Sequence, residues 1–146
     1  MRRQATSFVR IGSLTAVLTF ACLGCGGGPK EVPVFPVSGK VLFKGKPAVG
    51  AQVVFQPLDG TTDGTRPNAI VDKDGAFKLT TRAKDDGAPA GEYKVLVVWR
   101  VSEGDPDSGR TRNVLPEKFN NPDQTPLKAT VQANPNELEP FELSAK

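Results

Sequence analysis

The segment GEYKVLVVWR (residues 91–100) is the most apolar part of the chain after its first 25 residues, and it decides the fold class. One face of the extended segment carries Tyr93, Val95, Val97 and Trp99, and the other face carries Leu96 and Val98. Alternation of this kind has the period of a β-strand. A strand that is apolar on both faces predicts a central position, with a loop or a partner covering its second face.

Shorter segments with the same alternation lie before and after this strand. They are residues 37–43, 51–55, 69–71, 77–79, 127–131 and 138–143. Asp72-Lys73-Asp74-Gly75 separates two of them and predicts a tight hairpin turn, because Gly tolerates the positive φ that such turns need. About seven short strands with turn residues between them predict an all-β fold, an antiparallel β-sandwich of the immunoglobulin-like type.

The first 25 residues have the organisation of an export signal. Arg2, Arg3 and Arg10 precede an apolar stretch, residues 11–23, which is too short for a permanent membrane span. The end of this stretch, Leu23-Gly24-Cys25, resembles the signal of bacterial lipoproteins, in which the cysteine is acylated after cleavage. The resemblance implies lipidation of Cys25, with Cys22 as the alternative.

These features predict three regions: a lipoprotein signal peptide (1–24), a lipidated cysteine with a flexible tether (25–34), and the β-sandwich (35–146). The chain has 19 basic and 16 acidic side chains. Cleavage after residue 24 removes three arginines and no acid, leaving 16 of each. A nucleic-acid partner is not expected, because a neutral domain lacks the basic face that such proteins need. We expect an exported protein anchored by acyl chains, on the outer membrane or cell surface, with its domain facing the periplasm or exterior.

Four motifs resemble the carboxypeptidase regulatory-like domain, which is a transthyretin-like (prealbumin-like) β-sandwich. They are VSGKV (37–41), PAVGAQV (47–53), DKDGAF (72–77) and PAGEYKV (89–95). This resemblance covers residues 35 to about 101, and the closing residues resemble those of small bacterial lipoproteins built from one such domain. The resemblance implies a non-catalytic module, and it supplies no catalytic residues.

The residue types that most enzymes need are scarce. The chain has no histidine, and its two cysteines both fall within the first 25 residues. Histidine-dependent nucleophiles and zinc sites are therefore not expected. Asp107-Ser108-Gly109 matches one half of an aspartic-protease pair, but such a site needs two copies. We predict that the protein is not an enzyme and holds no cofactor or metal, with a carboxylate-dependent hydrolase as a minor alternative.

Two further clusters each have a structural interpretation and a ligand-binding interpretation. Asp72, Asp74, Asp85 and Asp86 are conceivable calcium ligands, although turn chemistry explains these residues more simply. Tyr93 and Trp99 are a conceivable sugar platform, although the alternation assigns both to the core.

Two long loops remain as candidate binding elements, residues 57–68 and 102–124. Val114, Leu115 and Phe119 in the second loop favour a lid that packs on the sandwich over a free binding loop. The predicted function is a non-catalytic, lipid-anchored envelope domain with a structural or protein-binding role. The alternative is a module that binds cell-wall glycans or peptides through these two loops.

Overall fold

The computed structural model describes residues 31–58 and 64–145. Cys22, Cys25 and the predicted signal peptide lie outside the described residues, as does the middle of the 57–68 loop. The strands of the described part are β1 (Val34–Phe35), β2 (Val37–Phe43), β3 (Lys46–Pro47), β4 (Gln52–Pro57), β5 (Asn68–Ile70), β6 (Ala76–Lys78), β7 (Ala88–Pro89), β8 (Gly91–Val98), β9 (Arg100–Ser102), β10 (Thr111–Asn113), β11 (Lys128–Val131), β12 (Asn136–Glu137) and β13 (Phe141–Leu143). Two single-turn 3-10 helices cover Pro106–Ser108 and Glu117–Phe119. No helix in this part of the chain is long and apolar enough to cross a membrane.

The first sheet has the strand order β11-β8-β4-β5, and all of its pairs are antiparallel. Strand β8, the apolar segment quoted above, lies between β4 and β11, so its predicted central position is confirmed. Tyr93, Val95 and Val97 are fully buried on its inner face. Leu96 and Val98 on its outer face are half-buried.

The second sheet is built around β2. On one side β2 pairs antiparallel with β6 and β3, and on the other side it pairs parallel with β12 and β13. The all-β sandwich prediction is confirmed, and this sheet is mixed because the chain crosses over after β11. Asn136 enters beside the start of β2, where its N–H donates to the Pro36 carbonyl at 2.8 Å. Strands that start at the same end of a sheet run parallel, and the last two strands do so here.

The inner faces of the two sheets form one hydrophobic core. Phe55 lies near its centre, with ring centroids 5.5 Å from Tyr93 and 6.4 Å from Phe77. Phe77 also stacks on Phe141 at 6.2 Å. Gly39 makes this packing possible, because a Cβ at residue 39 would lie 2.8 Å from Cζ of Phe77. Each such buried side chain contributes about 1.5–3 kcal/mol through the hydrophobic effect.

The predicted hairpin at residues 72–75 joins the two sheets. The Asp72 carboxylate accepts hydrogen bonds from the N–H groups of Asp74 and Ala76, both at 2.9 Å, and Gly75 has φ 79°. The strand before the turn pairs with β4, whereas the strand after it pairs with β2. The hairpin therefore carries the chain around one edge of the sandwich.

The long segment after β8 packs against the sandwich, as its apolar residues predicted. Strands β9 and β10 form a short antiparallel ribbon. Beyond this ribbon, Leu115 and Phe119 are buried in the common core. Thr125 fastens the end of the segment to β8: its hydroxyl donates to the Val95 carbonyl at 2.8 Å and accepts from the Leu127 N–H at 3.2 Å.

Candidate functional site

The described residues form an open groove of about 1110 Å³ on the outer side of the second sheet. Its floor is β2 with its neighbour β6, and one wall is β5. The other wall is the end of β12 with the segment that leads to β13. Residues 80–85 close one end. The groove thus combines strands that are far apart in the sequence.

The register of the second sheet places a cation on one side of Ser38 and an anion on its other side. In the sheet register, Ser38 is directly opposite Lys78 on β6 and directly beside Glu137 on β12. Register partners project from the same face of a sheet. Neighbouring strands lie about 4.8 Å apart, so the Cα atoms of Lys78 and Glu137 are separated by about 10 Å. Ser38 is short, and its hydroxyl turns to the Asn136 carbonyl at 3.4 Å.

Four charged side chains of the groove are exposed and form no ion pair with another described residue. Lys40 and Lys78 on the floor, and Glu137 and Glu139 on the wall, are all exposed. Within the described part of the chain none of the four takes part in an ion pair. Their charge is therefore available to a ligand.

The loop that closes the groove is organised by Asp86. Its carboxylate accepts backbone hydrogen bonds from Thr81 at 2.7 Å, Arg82 at 3.0 Å and Ala83 at 2.9 Å. Burial alone would raise the pKa of Asp86, but the hydrogen bonds from Ala83, Thr81 and Arg82 outweigh it and hold the pKa below its ordinary value of 3.8. Asp86 is thus a structural acceptor that shapes the loop.

The same loop also holds the start of the domain. The Arg82 guanidinium donates to the Val32 carbonyl at 2.9 Å, and strand β7 pairs with β1. Gly87 has φ 95°, and a Cβ there would lie 1.7 Å from the Phe35 carbonyl oxygen. The chain therefore enters the domain next to the end of the groove that Lys84 and Asp85 line.

The four aspartates considered as calcium ligands have separate surroundings. The carboxylates of Asp72 and Asp86 cap turns, and Asp74 forms an exposed ion pair with Lys73 at 3.2 Å. Asp85 lines the groove. Among the described residues, no group of three His, Cys, Asp or Glu side chains is placed to hold a metal ion.

Tyr93 and Trp99 do not form a joint aromatic platform. Tyr93 is fully buried, and its hydroxyl donates to the Pro89 carbonyl at 2.7 Å. Trp99 is half-buried, packs edge-on against Phe43 at 6.0 Å, and donates its indole N–H to the Val49 carbonyl at 2.8 Å. The assignment of Tyr93 to the core is confirmed, and Trp99 packs at the edge of the core.

Asp107-Ser108-Gly109 lies in an exposed turn at the tip of the β9–β10 ribbon. The Asp107 N–H donates to the Asp105 carboxylate at 3.0 Å, and Gly109 ends the turn with φ 64°. No residue of this turn lines the groove on the second sheet. The sequence did not predict the groove. It showed Ser38, Lys40 and Lys78 only as polar residues that alternate with apolar ones, and the position of Glu137 beside them depends on the parallel pairing of β12 with β2.

Comparisons with known proteins assign no family. No family model and no curated protein sequence matches the chain, so the resemblance to the carboxypeptidase regulatory-like domain stays a prediction. Solved structures that it is similar to include a 9R-lipoxygenase from Cyanothece (TM-score 0.42). Others are a DUF3823 family protein from Parabacteroides merdae (0.40) and a candidate carbohydrate-binding protein from Pseudomonas aeruginosa (0.42).

All three of these structures are 14% identical to the chain and match 76%, 77% and 79% of it, respectively. The chain covers 16% of the lipoxygenase, 47% of the DUF3823 protein and 90% of the Pseudomonas protein. Similarity this low carries no argument about function.

Proposed function

We propose that the protein is a non-catalytic domain of the cell envelope, anchored by acyl chains on Cys25, with a structural or protein-binding role. The domain is exported and faces the periplasm or the exterior. Two or more acyl chains at the mature amino terminus hold a protein stably on a membrane, whereas one chain binds only marginally. The carboxypeptidase regulatory-like resemblance supports the non-catalytic part of this proposal.

The observation that carries the binding role is the groove, where exposed charges of both signs form no ion pair within the part of the chain that the structure describes. Catalytic groups work best in dry sites where fixed dipoles act strongly, and such sites perturb their pKa values. Lys40, Lys78 and Glu137 instead lie open to solvent on a sheet surface. Exposed groups of this kind suit recognition, because they can exchange water for ligand charges at little cost.

The point of chain entry supports a partner close to the membrane. The described domain starts at strand β1, and residues 26–33 separate it from Cys25. A chain of this length spans at most about 30 Å. Since the entry point adjoins the groove, a ligand in the groove also lies near the membrane surface.

The anchor is tested by replacing Cys25 with Ala and measuring the mass of the protein isolated from membranes. Cys22→Ala is the matched control, because it leaves the favoured acylation site intact. We expect Cys25→Ala to prevent both acylation and signal cleavage. Globomycin should block cleavage alone and leave an acylated, uncleaved precursor. Loss of the acyl mass from the Cys25→Ala protein, with the acylated protein retained in the control, supports the proposal. A processed but unmodified thiol in the native protein would refute it.

The protein-binding role is tested with a photo-crosslinking residue at position 139 in the groove wall. Position 130 on the first sheet is the control, since Thr130 is exposed and does not line the groove. We expect one discrete crosslinked product in native membranes from position 139 and none from position 130. Equal crosslinking at both positions would show that the groove is not the binding surface.

Peptide binding is the second candidate function, and one observation favours peptides over glycans. Sugar sites commonly use exposed aromatic faces, but Phe77, the aromatic residue that lines the groove, is only 2% exposed. A glycan array in which the protein binds strongly, and loses binding when residues 102–113 are shortened, would instead support the two loops as a glycan site.

A further inference from the structure

We propose that the groove binds short zwitterionic peptides, with the peptide carboxylate at Lys78 and Lys40 and its ammonium group at Glu137 and Glu139. This inference rests on the second candidate function above and names its ligand class. It does not depend on the membrane anchor.

The spacing of the charged residues sets the length of the ligand. The Cα atoms of Lys78 and Glu137 lie on opposite sides of Ser38, about 10 Å apart across three strands, and their flexible side chains can adjust the distance between the charges. An extended peptide advances about 3.3–3.6 Å per residue, so the two ends of a tripeptide are also about 10 Å apart. The low floor at Ser38 leaves room for the peptide to cross the sheet between the two charges.

Backbone groups where the β5 wall meets the β6 part of the floor are available to the peptide amides. The Val71 N–H bonds to the Ala51 carbonyl, so the backbone of the preceding residue, Ile70, is directed away from β4. Likewise, the Leu79 N–H bonds to the Val37 carbonyl, so the backbone of Lys78 is directed away from β2.

Ile70 and Lys78 therefore face each other across the two arms of the hairpin, but β5 and β6 are not paired there. Among the described residues the arms are joined at their two ends, by the Asn68–Thr80 bridge and by hydrogen bonds between Asp72 and Ala76. A peptide in the groove can exchange hydrogen bonds with these groups.

An apolar side chain on the same wall completes the site. Ile70 is 61% exposed, which is unusual for isoleucine and leaves its side chain free to contact a ligand. A peptide with a small apolar side chain next to its carboxylate would cover this surface. Charges of both signs, backbone amides and one apolar contact together favour a peptide over a simple anion, which would use the lysines alone.

The test is an NMR titration of the isotope-labelled full chain in detergent micelles. The probe is trialanine with free ends, used up to about 10 mM because two exposed ion pairs support only weak binding. Matched probes are trialanine capped at both ends and trialanine acetylated at its amino end. We expect trialanine to shift the amide signals of residues 38, 70, 78 and 137, and the doubly capped peptide to bind about tenfold more weakly.

Variants of the protein test the assignment of each charge. Lys78→Ala and Glu137→Gln should each weaken trialanine binding about threefold, and Lys128→Ala on the far sheet should leave it unchanged. Equal binding of the acetylated peptide would show a lysine anion site and overturn the proposal. So would an absence of shifts, or an equal effect of Lys128→Ala.

Failure of this inference is distinguishable from failure of the proposed function. If trialanine does not bind while Cys25 is acylated and position 139 still crosslinks, only the peptide assignment is wrong. If trialanine binds to a protein whose Cys25 is unmodified, the anchor is wrong and the peptide site stands.

Discussion

Replacing Thr125 with Val tests how the long segment after β8 is attached to the sandwich. Valine has nearly the shape of threonine but lacks its hydroxyl, which bridges the Leu127 N–H and the Val95 carbonyl. Thr125 is 8% exposed and Val95 is fully buried. An orphaned buried hydrogen-bonding group costs about 1–3 kcal/mol, and water can reach the half-buried Leu127 more easily than Val95. We therefore expect a loss of about 2–3 kcal/mol.

Thr125→Ser is the matched control, because it keeps the hydroxyl and removes one methyl group. Its expected cost is about 1 kcal/mol from lost apolar burial. Urea unfolding followed by tryptophan fluorescence measures both variants, and Trp99 lies close to the same segment through Val114. For a domain of this size a loss of 2–3 kcal/mol lowers Tm by about 8–12 °C. If Thr125→Val is as stable as Thr125→Ser, the hydroxyl bridge does not hold the segment.

The remaining predictions concern the loop between the groove and the chain entry. Gly87→Ala should lower the free energy of unfolding by more than about 3 kcal/mol, because its Cβ would overlap the Phe35 carbonyl. Gly50→Ala is the control and should cost about 1 kcal/mol, because residue 50 also has a positive φ but a Cβ there would have nothing within 4 Å. Similar costs in urea unfolding would contradict the steric argument. Asp86→Asn should cost about 1 kcal/mol at neutral pH, where the ionised carboxylate accepts three N–H groups. Folding lowers the pKa of Asp86 from 3.8, so its contribution to stability is present above that pH and is lost as the pH falls through the folded value. Thermal melts in acid should therefore show a smaller loss of Tm with falling pH for Asp86→Asn than for the native protein.

The strands and turns could be predicted from the sequence because their causes are local. Residues 37–43 form β2 as their alternation indicated, and Asp72 and Gly75 make the predicted turn. The pairing of β12 and β13 with β2 could not be predicted, since it brings together residues about a hundred positions apart. The groove depends on that pairing, and its charged residues looked like an ordinary solvated surface in the sequence.

The attachment of β1 to β7 has a mechanical consequence for a tethered domain. A pull on the amino-terminal tether reaches β1 first, where two residue pairs and the contact between Arg82 and Val32 resist it. Past Pro36 the load passes to β2, which is bonded to strands along both of its edges and must be sheared rather than peeled. The β1–β7 pair would thus separate at low force and lengthen the tether by a few residues, while the sandwich itself stays folded.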